Sequence, residues 1–284
     1  MMLQEIHPKI YRPEYQDKRA NPHSFLLYYR EGQVLLKKAK KNQGFFLPKF
    51  EDLASADEGI FRRSLYLFSI DDEEFYTLNS KEPENIPSEN HISLEALSVF
   101  RSFTPKHHGF AIATGFHIDA WMKSRRFCGI CGNKTIHSST ERAIICPNCR
   151  HTEYPKISPA IIVAIRDKDR ILLTKRAGSD YKLHALVSGF SEIGETLADT
   201  IRREVKEEVG LDIKNIRYYK SQPWGISETM MLAFIADLDG SDSITLQESE
   251  LSEAKWFRRS EIPPFEHYIS VGQELIQGFR NGKF

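Results

Sequence analysis

Apolar positions change period several times along the chain, and each change predicts an element. SFLLYYREGQVLL (residues 24–36) and FRRSLYLFSI (61–70) are aromatic-rich apolar runs, which predicts strands or strand pairs. The polar stretch SKEPENIPSEN (80–90), with two prolines, predicts a loop. SLEALSVFRSF (93–103) and HHGFAIATGFHIDAWMK (107–123) space their apolar residues as helices do. Further on, SPAIIVAIRD (158–167) and RILLTKRA (170–177) flank a polar pair and predict a hairpin of core strands. ALVSGF (185–190), IRYYKSQPWG, TMMLAFIADL and AKWF predict further strands, and ISVGQELIQGF (269–279) a closing helix. There is no internal repeat.

One segment mixes its periods with its charges. Leu197, Ile201, Val205 and Val209 recur every four residues, so 196–209 is expected to be an amphipathic helix, with capping chemistry at Thr196 and Asp199 and a stop at Gly210. Glu204, Glu207 and Glu208 then share an arc of about 100°. Glu208 projects between Leu197 and Ile201, at the edge of the apolar stripe. A solvated face would set its acids opposite the stripe, with bases at i,i+4. Clustered acids beside an apolar surface repel one another and lose hydration. A divalent cation would offset both effects, and oxygen-only ligands favour Mg²⁺ or Mn²⁺. From this segment alone, an ordinary surface helix stays an equal reading.

Composition narrows the class. The 284 residues suffice for two domains and a small third unit. Lys+Arg and Asp+Glu are both 39, so no global field draws the chain to nucleic acid or an anionic membrane, although a local basic patch stays open. Apolar runs such as AIIVAI (160–165) are far too short for a membrane span. MMLQEIHPKIYRPEY has no apolar core of a signal peptide. The expected location is cytoplasmic.

The four cysteines form two CxxC pairs, Cys128/Cys131 and Cys146/Cys149, with fourteen residues between them. Two such knuckles can close one tetrahedral Zn²⁺ site. A closed shell of four thiolates leaves no position for chemistry, so a structural staple is favoured. The alternative is a nucleic-acid-contacting ribbon helped by Lys123, Arg125 and Arg126. A redox CxxC is a third reading, disfavoured by the matched pairs.

The helix lies inside a longer pattern: Gly189, five residues, Glu195, seven, Arg203-Glu204-Val205, one, Glu207-Glu208, one, Gly210-Leu211. This resembles the Nudix box of the Nudix hydrolases at every defined position. The resemblance implies a loop–helix–loop that binds divalent metal against a diphosphate. It implies metal-ligand roles for Glu204 and Glu208, with Glu207 a ligand or a base. It further implies a structural Glu195–Arg203 pair, a bend at Gly189 and a metal contact from the Ser188 carbonyl.

Ten residues beyond the box begins SQPWGISETMM, which is similar to the SQPWPFPxS signature of the NADH pyrophosphatase subfamily. Ser221, Gln222, Pro223 and Trp224 match; Gly225, Ile226, Ser227 and Thr229 do not. FCGICG (127–132), YPKISPA (154–160) and EAKWF (253–257) also resemble that subfamily. The resemblance implies Tyr154, Phe190 and Trp224 as pocket residues, Gln222 as a polar contact, and Glu250 as an acid approaching the metal from outside the helix, with Glu248 and Glu253 as competing neighbours. Loss of the prolines at 225–227 leaves the backbone there looser and stacking weaker.

The expected fold is α+β: a Nudix α/β/α sandwich (157–284), preceded by a four-cysteine zinc ribbon (125–156) and an N-terminal α/β domain (1–124). The implied function is metal-dependent hydrolysis of the diphosphate bond of a small-molecule dinucleotide, NADH or NAD, to nicotinamide mononucleotide and AMP, with homodimerisation and no membrane partner. Removal of NAD caps from RNA 5′ ends and a broader ADP-ribose pyrophosphatase are the enzymatic alternatives. A non-catalytic nucleotide sensor is the alternative of another class.

Overall fold

The computed structural model describes residues 2–39, 44–54, 57, 59–79, 91–178, 184–265 and 268–284. The expected loop at 80–90 lies outside them. The chain divides into two compact units. One comprises residues 157–224 and 229–284 with Met2, and the other 3–156 together with 225–228. The zinc ribbon thus shares a unit with the N-terminal segment.

Within the N-terminal unit, one four-stranded sheet runs Tyr11–Arg12, Ser64–Ile70, Glu73–Leu78, Phe25–Leu26. A second sheet is built on Gln33–Lys38, which pairs with Tyr29–Arg30, Phe45–Phe46 and Ile92–Ala96. The short helix α1 (Glu51–Ala54) and the 19-residue α2 (Lys106–Ser124) complete it. The helix expected at 93–103 is instead a strand, Ile92–Ala96, followed by a 3₁₀ turn, Leu97–Arg101. The apolar period changes inside that run. Ile92 and Leu94 alternate as strand positions do, whereas Leu97, Phe100 and Phe103 recur every three residues, as in a 3₁₀ turn. The ribbon contributes three two-residue strands, Ile136–His137, Ile144–Ile145 and Thr152–Glu153.

The other unit is a six-stranded sheet between two helices. Its centre is Ser158–Asp167, which pairs parallel with Thr229–Leu238 and antiparallel with Arg170–Arg176 and Val187–Phe190. Ile213–Trp224 and Leu251–Arg258 form the edges. AIIVAI is continuously apolar because both faces are covered. Ile161, Val163 and Ile165 pack with Ile201, Val205 and Val209 of α3 (Leu197–Val209). Ile162 and Ala164 pack with Val271, Leu275 and Phe279 on the opposite face, the last three from α4 (Val271–Arg280). Each fully buried Val, Leu, Ile or Phe side chain among these stabilises the fold by roughly 1.5–3 kcal/mol.

Candidate active site and zinc centre

The α3 helix is fixed at both ends by local chemistry. Thr196 Oγ1 accepts the Asp199 backbone N–H (3.2 Å), and Gly210, at φ +73°, donates to the Lys206 carbonyl (3.1 Å). Its buried stripe turns Glu208 inward, where it is only 5% exposed. Glu204 is half-buried and Glu207 exposed.

Arg203 organises the acids. It pairs with Glu195 (2.6 Å), Glu204 (2.8 Å) and Glu207 (3.1 Å), and donates to the Phe190 carbonyl (3.0 Å). Its guanidinium, the Glu192 N–H and the Thr200 hydroxyl hold Glu195 down to about 2. Glu195 is therefore the anchor of Arg203, and Arg203 ties the loop before α3 to the two carboxylates on it.

Glu208 behaves differently. Burial, with the charges of Glu204 and Glu250 behind it, pushes its carboxyl up to about 8, against the pull of Arg176. Burial also raises Glu204, opposed by Arg203 and reinforced by Glu207 and Glu250. Glu250 thus acts on both helix acids, although it lies outside the helix. Glu253 does not share this environment. It contacts His184 (2.9 Å), Lys255 (3.3 Å) and Lys175 (3.6 Å), and His184 first among these holds it down to about 2. Glu248 is exposed. A cluster of mutually opposed carboxylates, one of them buried, fits a divalent cation as its missing partner. Among the described residues, however, no three of these oxygens converge within 4.8 Å.

The raised Glu208 has a testable consequence. Its folded pKa, about 8, lies above its ordinary value of 4.5. Without added divalent metal, its contribution to stability is whole below that ordinary value and is lost as pH rises through about 8. Urea midpoints of wild type and Glu208→Gln should therefore diverge on going from acid to pH 8 and above, with the glutamine variant the more stable at the alkaline end. Parallel curves would show that Glu208 is not buried as a crowded acid.

Gly189 does not supply the expected bend. It lies within the regular strand Val187–Phe190, paired with Ile161. Its role is space: a Cβ there would come 2.0 Å from Glu204 Cδ. Gly189→Ala should displace the Glu204 carboxylate and cut turnover by ~10²-fold, comparable to losing one electrostatic contact, with a near-normal melting temperature. Steady-state rates beside thermal melts check this.

The implied pocket residues differ in exposure and in their partners. Phe190 and Tyr154 are more than half exposed, and Tyr154 donates to Glu141 (3.2 Å). Ser188 lies beside Gly189 on the same strand, and Trp224 ends the edge strand Ile213–Trp224. Gln222, expected as a substrate contact, is 1% exposed and occupied: its Nε2 donates to the Ile269 carbonyl (2.8 Å), and its Oε1 accepts the Val271 N–H (2.7 Å). It positions the start of α4. The looser backbone expected at 225–227 is a 3₁₀ turn in the N-terminal unit. There a Cβ on Gly225 would come 2.2 Å from the Ala113 carbonyl, so the glycine permits close packing on α2.

The ribbon brings all four cysteine sulfurs within 4.8 Å of one another. Cys128–Cys149 and Cys131–Cys146 are each 3.5 Å apart. Zinc at about 2.3 Å from each thiolate requires tetrahedral edges of about 3.8 Å, so the set fits a closed Zn²⁺ site. The Asn133 backbone N–H, with the Asn133 and Asn148 side chains, brings the Cys131 thiol down to about 5. Of the basic flank, Arg125 is paired with Glu153, and Lys123 with Asp119 (2.7 Å).

Comparison with known proteins matches two regions of the chain. Residues 156–275 match the NUDIX domain, and residues 123–154 the NADH pyrophosphatase zinc ribbon domain. The NAD-capped RNA hydrolase NudC of Enterobacter sp. (strain 638) is 42% identical over 163 residues, 57% of this chain and 63% of that protein. NudC of Escherichia coli (strain K12 / DH10B) is 40% identical over the same length and shares. The matched stretch spans 63% of the length of these curated relatives. A NUDIX hydrolase structure from Nitrosomonas europaea aligns with 55% of this chain and 91% of its own, at 25% identity and a TM-score of 0.47.

Proposed function

We propose, for a chain that carries a NUDIX domain behind an NADH pyrophosphatase zinc ribbon domain, that it hydrolyses the diphosphate bond of NADH or NAD to nicotinamide mononucleotide and AMP. The observation that carries this is buried Glu208, crowded by Glu204 and Glu250 on and beside a firmly capped helix. Glu204, Glu207, Glu208 and Glu250, with the Ser188 carbonyl, would hold Mg²⁺ or Mn²⁺. When bound, the metal offsets charge on the diphosphate and makes a bound water more acidic. Arg203 keeps Glu204 and Glu207 oriented throughout. Glu207, the most exposed of the three helix acids, is the proposed acceptor of the water's proton. Trp224 and Phe190 offer stacking surfaces for a base or nicotinamide ring. The ribbon's Zn²⁺ is structural.

A second reading shares the chemistry. The curated relatives are named NAD-capped RNA hydrolases, and removal of an NAD cap would cut the same bond. We propose in addition a homodimer, checked by light scattering at assay concentration, and a cytoplasmic location, in keeping with four free cysteines. Among the described residues no helix is long and apolar enough to cross a membrane.

The test is incubation with NADH, NAD, ADP-ribose and an NAD-capped short RNA, with and without Mg²⁺ or Mn²⁺, identifying products by mass. Metal-dependent release of nicotinamide mononucleotide from NADH is expected. Faster release from capped RNA would favour the second reading. Cleavage of ADP-ribose alone would move the specificity, and no turnover with any of the four would put the nucleotide sensor first.

A further inference from the structure

The N-terminal unit contains a cavity of about 470 Å³, within the range of small-molecule pockets. Its wall joins the segment Tyr15–Arg19, the strand Ser64–Ile70, α2 and the ribbon. The NUDIX-domain residues take no part in it.

The wall has more donors than it can use. Arg142 is the clearest case. One terminal nitrogen, Nη2, donates to the Pro13 carbonyl (2.8 Å) and to the Leu67 carbonyl. No carboxylate meets it, and its Nε and Nη1 have no hydrogen-bond partner among the described residues. It is half-buried and lies near Tyr11, Tyr15 and Tyr66, none of which balances its charge. A half-buried cation with no anion beside it has lost hydration without a charged partner in return.

Other donors share this condition. The Tyr66 hydroxyl and the Trp121 indole N–H are buried with no partner, and both residues belong to the wall. Arg19 Nη1 donates only to carbonyls, those of Arg62 and Ser64. Arg126 and Lys134 are exposed wall residues whose side chains have no partner among the described residues. The acids of the wall do not cancel this excess. Asp119 is engaged by Lys123 (2.7 Å) and Thr77 (2.9 Å), and Glu141 by Tyr154 (3.2 Å). Asp17 is the third acid.

We propose that this cavity is a second ligand site, separate from the diphosphate-cleaving site, which takes a phosphate-bearing molecule of mononucleotide size. Arg142 bonds the phosphate from within, and Arg126 and Lys134 hold it at the exposed edge. A guanidinium supplies the paired donors that suit a phosphate. Tyr15, half-exposed on the wall, offers aromatic surface to the rest of the ligand. The phosphate belongs either to a free nucleotide or to a nucleotide chain whose backbone enters the cavity.

The experiment uses the full-length zinc-loaded protein without added Mg²⁺ or Mn²⁺, titrated calorimetrically with inorganic phosphate, AMP and an unphosphorylated oligonucleotide of eight residues. Saturable binding of AMP is expected at one per chain, in wild type and equally in Glu208→Gln, weakening as salt is raised. Arg126→Ala/Lys134→Ala, two exposed changes that spare the fold, should weaken it by at least tenfold, and Arg142→Met by more. Both variants should hydrolyse NADH at the wild-type rate. Tighter binding of the oligonucleotide than of AMP, lost in the same variants, assigns the site to a nucleotide chain; the reverse order assigns it to a free nucleotide. Binding lost in Glu208→Gln but kept in the double variant would overturn the proposal, as would no binding of any of the three probes. Because Glu208→Gln silences only the hydrolytic site, failure here leaves the proposed hydrolysis standing, and failure of hydrolysis leaves this site standing.

Discussion

Glu208→Gln is expected to lower metal-dependent turnover of NADH by ~10²–10³-fold, the effect of removing one strong electrostatic contact from an active site. In activation free energy this is about 3–4 kcal/mol. Glutamine keeps the shape of the side chain and removes only its charge. In the metal-free protein that charge is a liability, because burial and the neighbouring Glu204 and Glu250 all oppose it. The variant should therefore fold at least as well as wild type above neutral pH while its turnover collapses. A merely structural glutamate would not separate stability from activity in this way. Glu253→Gln is the matching control. Glu253 is held by His184, Lys175 and Lys255, so its loss should leave turnover near that of wild type. A Glu208→Gln protein with wild-type rates, or a Glu253→Gln protein without activity, would move the metal site away from α3.

The α3 helix was legible because three independent signals coincide on it: an apolar period near 3.6, a cap at each end and acids beside the stripe. The central strand was legible from AIIVAI, an apolar run of the kind that a strand covered on both faces carries, whereas the sandwich around it was expected only from the family resemblance. Less visible were facts that depend on where remote segments meet. The need for glycine at 189 lies fifteen residues away, in the Glu204 carboxylate. Gln222 sits in a motif that implied substrate contact, yet its amide meets the start of a helix nearly fifty residues further on. Nothing in its neighbours announces that. The glycine at 225 likewise answers to Ala113 on a different element. The N-terminal cavity was wholly hidden, because Tyr15, Tyr66, Trp121 and Arg142 share no spacing and converge only after folding.

The ribbon invites the opposite experiment, removal of a metal. Its three strands have two residues each, too little hydrogen bonding to persist alone. Zinc held by the four thiolates would supply much of its order, since structural Zn²⁺ contributes about 10–16 kcal/mol in isolated finger peptides. Wild type is expected to hold one tightly bound zinc per chain by elemental analysis, and Cys146→Ser to lose it. The damage should spread beyond the ribbon. Tyr15 donates to the Ser138 carbonyl (2.8 Å), and Arg142 to the carbonyls of Pro13 and Leu67, so the N-terminal sheet loses contacts when the ribbon opens. Limited proteolysis of Cys146→Ser should first cut within 125–156 and then clear residues 3–124 faster than in wild type. A ribbon that only contacted nucleic acid would lose that binding and leave the N-terminal sheet as resistant as before. Proteolysis therefore separates the staple from the contact surface, and a zinc-free variant with wild-type resistance would reject the staple.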